Sequence, residues 1–155
     1  MNYCISIWGL TTKCNVARIH VLQKKAMRII SHSPYTSHAA PLFVKLNILP
    51  IYDMISLQIG VFMFNCYKDL LPLPFKGYFQ LNCHIHSYNT RNANNFHTPL
   101  AQTCSTKRSI FYFGPILWND LPLSMKQANS ANYFKFLLKR YLPLKNILYI
   151  LLYSH

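Results

Sequence analysis

Nine prolines spread along the chain limit its fold more than any other feature, because proline ends or kinks helices and is excluded from central strands. Several of the stretches between them carry apolar residues at helical spacing. This pattern predicts short helices joined by proline-containing turns, and therefore a mainly α domain. The prolines are Pro34, Pro41, Pro50, Pro72, Pro74, Pro99, Pro115, Pro122 and Pro143.

Four helices are predicted between these breaks. The second helix covers 39–46, and the third is a long and unusually apolar helix at 51–70. The last helix is amphipathic and covers 130–142, with Asn129 or Ser130 as its N-cap. Gly60, in the middle of the apolar helix, indicates a close crossing with another helix. The first helix covers 15–30 behind Asn15 as N-cap, with a predicted buried stripe of Val16, Ile19, Leu22, Ala26, Ile29 and Ile30.

The remaining segments give the domain its outline. Residues 71–107 lose helical periodicity and are interpreted as a long polar loop or arm, while 108–142 hold a Trp-bearing segment and the last helix. Alternation in 107–113 leaves room for one short strand or hairpin, and Trp118 is a candidate core anchor. Residues 1–14 resemble the remnant of an upstream helix, and 143–155 form an apolar tail shorter than the roughly 20 residues of a membrane span. The sequence thus predicts a small domain of about four helices with a long polar loop.

The charge balance indicates the class of partner. Sixteen Lys and Arg residues stand against three acidic residues, which gives a formal net charge of +13. Such a balance destabilises a compact state through self-repulsion, and an anionic partner relieves it. RNA or DNA is the commonest partner of this kind, followed by an anionic membrane surface or an acidic protein. The alternative is a basic surface that only keeps the protein soluble.

The shortage of carboxylates excludes several classes of enzyme. The acidic residues are Asp53, Asp69 and Asp120, and the chain has no Glu. Two-metal polymerases, nucleases and glycoside hydrolases need converging carboxylates, and no closely spaced acidic pair exists here. A Cys-His hydrolase would need a nucleophile, base and orienting group that no spacing in the sequence suggests. We therefore expect no enzyme activity, no cofactor and no small-molecule substrate.

Cysteine usage bears on compartment and metals. Five cysteines without a CxxC pair argue against a disulfide framework, and no secretion signal opens the sequence, so an intracellular protein of nucleus or cytoplasm is expected. One weak zinc candidate exists, although its C-x2-H-x10-H-x6-C spacing matches no standard finger. The alternative is a polar loop with scattered His and Cys, and no metal is expected. The candidate ligands are Cys83, His86, His97 and Cys104.

Candidate nucleic-acid contacts lie in three places: off the apolar stripe of the first helix, in the arm around residue 91, and on the last helix. The arm combines an aromatic ring, a guanidinium and several amides, which suits stacking on unpaired bases and bonding to phosphates. Each of these places can equally face only water. The candidates are Arg18, Lys24, Lys25, Arg28, Tyr88, Arg91, Lys107, Arg108, Lys135, Lys139 and Arg140.

A series of motifs in order carries a family resemblance over 8–142. They are Trp8-Gly9, the run Ile19 to Ile30, Ala40-Pro41-Leu42-Phe43, Leu57-Gln58-Ile59 with Phe62-Met63, His86-Ser87-Tyr88-Asn89-Thr90-Arg91, Gly114-Pro115-x-x-Trp118-Asn119-x-Leu121-Pro122, and Phe134-Lys135-x-x-Leu138-Lys139. Together they resemble the C-terminal region beyond the thumb of LINE-type, non-LTR retrotransposon reverse transcriptases, closest to jockey-like elements.

The resemblance implies a parent RNA-directed DNA polymerase that primes synthesis at a nick in target DNA. The upstream polymerase and endonuclease domains are missing here, and no Tyr/Phe-x-Asp-Asp motif is present, so no catalytic residue carries over. What the resemblance implies is a fragment that binds nucleic acid without catalysis and helps hold template RNA or target DNA. The alternative is a structural piece that packs on a missing polymerase domain.

Overall fold

The computed structural model describes residues 4–75, 77–85 and 91–153, with the backbone alone for 144–153. The described residues form α-helices and no strand, which confirms the mainly α prediction. Their helices are α1 (Ile5–Trp8), α2 (Lys13–Ile30), α3 (Ala40–Lys45), α4 (Ile51–Tyr67), α5 (Asn82–Ile85), α6 (Cys104–Lys107), α7 (Ile110–Asn119), α8 (Leu123–Lys126) and α9 (Ala131–Tyr153), with a 3-10 turn at Leu73–Phe75.

All four predicted helices are present, with corrected ends. The first begins at Lys13 behind Thr12, so Asn15 lies within the helix and is not its cap. The last continues through Pro143 to Tyr153 instead of ending before the proline. Proline removes one helical hydrogen bond and kinks the helix, so the prediction took Pro143 as its end.

The prediction of a short strand at 107–113 is wrong, because α6 ends and α7 begins within this segment. Ser109 caps α7, and its hydroxyl oxygen accepts a hydrogen bond from the amide of Phe111 at 3.3 Å. Gly114 and Pro115, predicted to form a turn, are buried inside this helix. A Cβ at Gly114 would stand 2.7 Å from the sulfur of Met63, so close packing on α4 outweighs the local preference for a break.

The chain divides into two compact units. The first unit is Met1–Ser56 with Lys139–His155, and the second unit is Leu57–Leu138. In the first unit, α3 packs on α2 through Met27, Ala39 and Phe43. The side chain of Gln23, also buried, donates to the Leu49 carbonyl at 2.9 Å and accepts from the Ile51 amide at 2.9 Å. One α2 side chain thus fixes the start of α4.

The second unit is built around three aromatic rings. Phe64 stacks on Phe134 at 4.6 Å between ring centroids, and Trp118 lies 5.8 Å from Phe134. All three are almost completely buried, and burying such a side chain contributes about 1.5–3 kcal/mol. Trp118 is therefore the core anchor that the sequence predicted. A Cβ at Gly60 would clash with Leu138, which confirms the close helix crossing predicted at this glycine.

Candidate nucleic-acid interface

One side of α2 is buried and sets the direction of its other side chains. Val16, Gln23 and Met27 are buried and His20 is partly buried, so the buried stripe differs from the predicted one. Leu22, Ala26, Ile29 and Ile30 were predicted to be buried and are exposed. The prediction failed because it weighed apolarity alone, whereas the amide of Gln23 is held inside by two backbone partners.

The opposite side of α2 alternates basic and apolar residues. Each of its four members follows a buried-stripe residue by two positions, which is a little more than half a turn around the helix. Leu22 is 60% exposed and Ile29 is 73% exposed. We name this set, Arg18, Leu22, Lys25 and Ile29, the outer stripe. Its two cations point away from the core and are free to meet a phosphate backbone.

The other two α2 candidates lie beside this stripe and are partly buried. Arg28 has a structural task, because its Nε donates to the Ser37 carbonyl at 2.9 Å and its guanidinium lies 5.6 Å from the Tyr35 ring centre. These contacts tie the turn after α2 to the helix. Lys24 lies one turn beyond His20, and burial, followed by the charge of Lys24, lowers the pKa of His20.

The remaining candidates are divided between the units. In the second unit, Arg91, Lys107 and Lys135 are exposed and Arg108 is partly buried, while Tyr88 lies outside the described residues. In the first unit, Lys139 is partly buried and its neighbour Arg140 is exposed. The candidates that lie close together are thus neighbours on a single element: the four on α2, Lys107 with Arg108 at the end of α6, and Lys139 with Arg140 on α9.

An asparagine that the sequence did not single out for this purpose holds part of the arm. The Asn119 amide donates to the Phe96 carbonyl at 2.8 Å, and its carbonyl accepts from the Phe96 amide at 3.0 Å. The ring of Phe96 is buried and lies 6.0 Å from Trp118. The arm is thus fixed to α7 at Phe96, although the sequence there showed few apolar anchors.

A buried lysine supports the same region. Lys126 is 8% exposed. Its Nζ donates to the backbone carbonyl of Asn119 at 3.3 Å and to the side-chain oxygen of Asn95 at 3.5 Å. Burial lowers the pKa of this amine. No sequence signal indicated it, since lysine is almost always placed at the surface.

The described part of the chain offers few groups for metal binding or for thiol chemistry. Among those residues, no group of three or more His, Cys, Asp or Glu lies close enough to hold a metal ion, and the zinc candidate His86 lies outside them. Cys4, Cys14, Cys83 and Cys104 are exposed thiols. Burial, with Asp69 nearby, raises the pKa of Cys66 to about 11, so its reactive thiolate is scarce at neutral pH.

The helices of the described residues include none with the length and apolarity needed to cross a membrane.

Comparison with known proteins finds a partial match to a curated protein. A stretch of 54 residues is 43% identical to the protein named "Probable RNA-directed DNA polymerase from transposon BS" in Drosophila melanogaster. The stretch makes up 35% of this chain and only 6% of the fly protein. No protein-family model and no solved structure matches the chain. Over about a third of its length, the chain is thus similar to a transposon RNA-directed DNA polymerase.

Proposed function

We propose that this chain is a non-catalytic nucleic-acid-binding segment of a retrotransposon polymerase. In this proposal it corresponds to the region beyond the thumb of a jockey-like element, works in the nucleus or cytoplasm, and helps hold template RNA or target DNA. The observation that carries it is the outer stripe, where Arg18 and Lys25 face away from the core of a chain with net charge +13. The partial match to a transposon polymerase supports the same class of partner.

Binding through phosphates has a quantitative signature. Neutralising phosphates releases counterions, so the logarithm of affinity falls linearly with that of salt, by about 0.9 per contact on duplex DNA and about 0.7 on single strands. Filter binding to structured RNA and to nicked duplex between about 50 and 200 mM salt measures this slope. Absence of binding at low salt, or an affinity indifferent to salt, would refute the proposal.

Paired variants locate the contacts. We expect Arg18→Gln with Lys25→Gln to reduce the slope by about 1.4–1.8, the contribution of two phosphate contacts. The matched control is Lys13→Gln with Lys45→Gln, which removes two exposed cations of the same unit outside the candidate set. If both double variants lose the same affinity, the total charge and not the outer stripe accounts for binding.

The apolar half of the outer stripe favours a second function, packing on a polymerase domain. Exposed apolar patches commonly mark the surface for a missing partner, and Leu22 and Ile29 are joined on α2 by exposed Val21 and Ile30.

If this surface packs on a polymerase domain, Leu22→Ser with Ile29→Ser should make the isolated chain more soluble and leave nucleic-acid affinity unchanged. Amide exchange on α2 should also slow when upstream thumb sequence is added. Unchanged solubility and exchange would exclude it.

A further inference from the structure

A cluster of aromatic rings at the surface of the second unit has no role in the proposed contacts. Phe111 stacks on Phe79 at 5.5 Å and 23° between ring planes, and Tyr78 lies 5.5 Å from Phe111. Tyr78 is 60% exposed and Phe111 is 44% exposed, so ring surface on both faces water. We name Tyr78, Phe79 and Phe111 the aromatic patch. Single exposed apolar residues are ordinary, but three rings in contact form a larger apolar surface.

The aromatic patch forms part of the wall of a cavity of about 130 Å³. An enclosed cavity of roughly 150 Å³ accepts one benzene molecule, so a hollow of this order has room for one planar ring. Gln80 and His97 also line the cavity, and the amide of His97 donates to the Gln80 carbonyl at 2.8 Å. These two residues make the otherwise mostly apolar wall partly polar.

Two positively charged residues lie close to the patch in the sequence. Lys107 is the last residue of α6 and is exposed, and Arg108 follows it, three residues before Phe111. Among the described residues that line the cavity none is acidic, while Asp69 lines a second hollow that Phe79 also borders. The two cations favour an anionic ligand for the cavity side of the patch. An apolar protein surface would use the rings but not the cations, whereas a nucleotide uses both.

We propose that the aromatic patch holds one unpaired nucleobase of single-stranded RNA or DNA, stacked on the exposed ring of Tyr78 and lying in the cavity beside Phe111. Lys107 and Arg108 then meet the adjoining phosphates. This inference rests on the proposed nucleic-acid binding and adds to it a preference for unpaired strands.

The test compares single-stranded oligouridylate with a duplex of the same length, by fluorescence polarisation at low salt. Tyr78→Leu should weaken binding of the single strand about tenfold, as expected for loss of one stacked base, and leave duplex affinity unchanged. Tyr78→Phe keeps the ring and should stay within about twofold of the wild type. Tyr133→Leu removes another aromatic of the second unit, 54% exposed and outside the patch, and should have no effect.

The outcomes separate the two proposals. Binding of neither nucleic acid by the wild type would overturn the proposed function together with this inference. Binding of duplex with no loss of single-strand affinity in Tyr78→Leu would overturn the inference alone. As a second readout, an oligomer carrying 5-iodouridine should photo-crosslink to Tyr78 or Phe111. Crosslinks confined to other residues would also overturn it.

Discussion

Two amide side chains, Gln23 and Asn119, each satisfy two backbone groups far away in the sequence. Gln23 bonds residues 26 and 28 positions later, on either side of Pro50, and Asn119 bonds both backbone groups of a residue 23 positions earlier. A net hydrogen bond contributes about 1 kcal/mol, but a buried group left unpaired costs about 1–3 kcal/mol. The sequence could not predict either role, because an amide within a helix usually faces water and its distant partners are set by the fold.

His20 should make the stability of the first unit depend on pH. Its ring lies 5.1 Å from Tyr52 and 6.1 Å from Phe43, and burial followed by Lys24 lowers its pKa below 6.5. In the unfolded chain the histidine regains its ordinary pKa, so between the two pKa values the unfolded state binds more protons. The stabilisation from neutral His20 is therefore complete above pH 6.5 and is lost as pH falls through 6.5 towards the folded pKa.

We expect His20→Gln to lower Tm at neutral pH, since ring packing is lost, and to reduce the further fall in Tm between about pH 7.5 and 5.5. Thermal unfolding followed by circular dichroism at both pH values measures this difference. His38→Gln is the matched control, since His38 is exposed, and should keep the pH dependence of the wild type. An equally steep fall in His20→Gln would show that another group controls the transition.

At the scale of elements, helix position was predictable and helix orientation was not. Periodicity and length located α2 and α4 to within a few residues, because capped or apolar runs of this length have few other solutions. The buried side of α2 was predicted wrongly because Leu22 and Ile29 look like core residues, while Gln23 takes the inner position. Gly114-Pro115 was a reasonable turn signal, and only packing against Met63 shows why the helix continues there.

The link between Asn119 and Phe96 should decide whether residues 91–100 stay attached to α7. Asn119→Ala leaves the Phe96 amide and carbonyl without these partners, at an expected cost of about 2 kcal/mol in the free energy of unfolding. Hydrogen exchange at the Phe96 amide should accelerate, and limited proteolysis should cut this segment first. Chemical denaturation and exchange measured by NMR test both effects.

Two further variants make this test specific. Asn119→Asp can still accept from the Phe96 amide but places a carboxylate against the Phe96 carbonyl, so it should be at least as harmful as alanine. Asn94→Ala replaces an exposed asparagine of the same segment and should change stability by less than about 0.5 kcal/mol. Asn119→Ala with unchanged exchange at Phe96 would show that ring packing alone anchors the segment.

At the scale of the whole molecule, composition predicted a basic surface but not how it is used. Among the α2 cations, Arg28 bonds Ser37 while Arg18 and Lys25 face outward, a distinction that depends on the turn after the helix. The aromatic patch joins residues more than 30 positions apart, so no local pattern pointed to it. Lys126 is buried against the general rule, because two acceptors of the second unit surround its amine.

The net charge of +13 should make the stability of the whole molecule depend on ionic strength. Like charges repel more in the compact state than in the expanded one, and salt screens them over a Debye length of about 10 Å at 0.1 M. We expect Tm to rise as NaCl increases from about 0.05 to 0.5 M, where screening is close to complete. A Tm that falls with salt would show that attractive ion pairs outweigh the repulsion.

An anionic ligand should stabilise the folded state at low salt, as added NaCl does by screening. An oligonucleotide at about 100 times its Kd stabilises the folded state by about 2.7 kcal/mol, which corresponds to a rise in Tm of about 5–10 °C for a chain of this length. This increase should appear at low salt and shrink as NaCl approaches about 0.5 M, since counterion release weakens binding there. A neutral polymer of similar length controls for crowding, which contributes less than about 1 kcal/mol. Equal stabilisation by the oligonucleotide and the neutral polymer would show that the oligonucleotide does not stabilise the fold by binding to its positive charge.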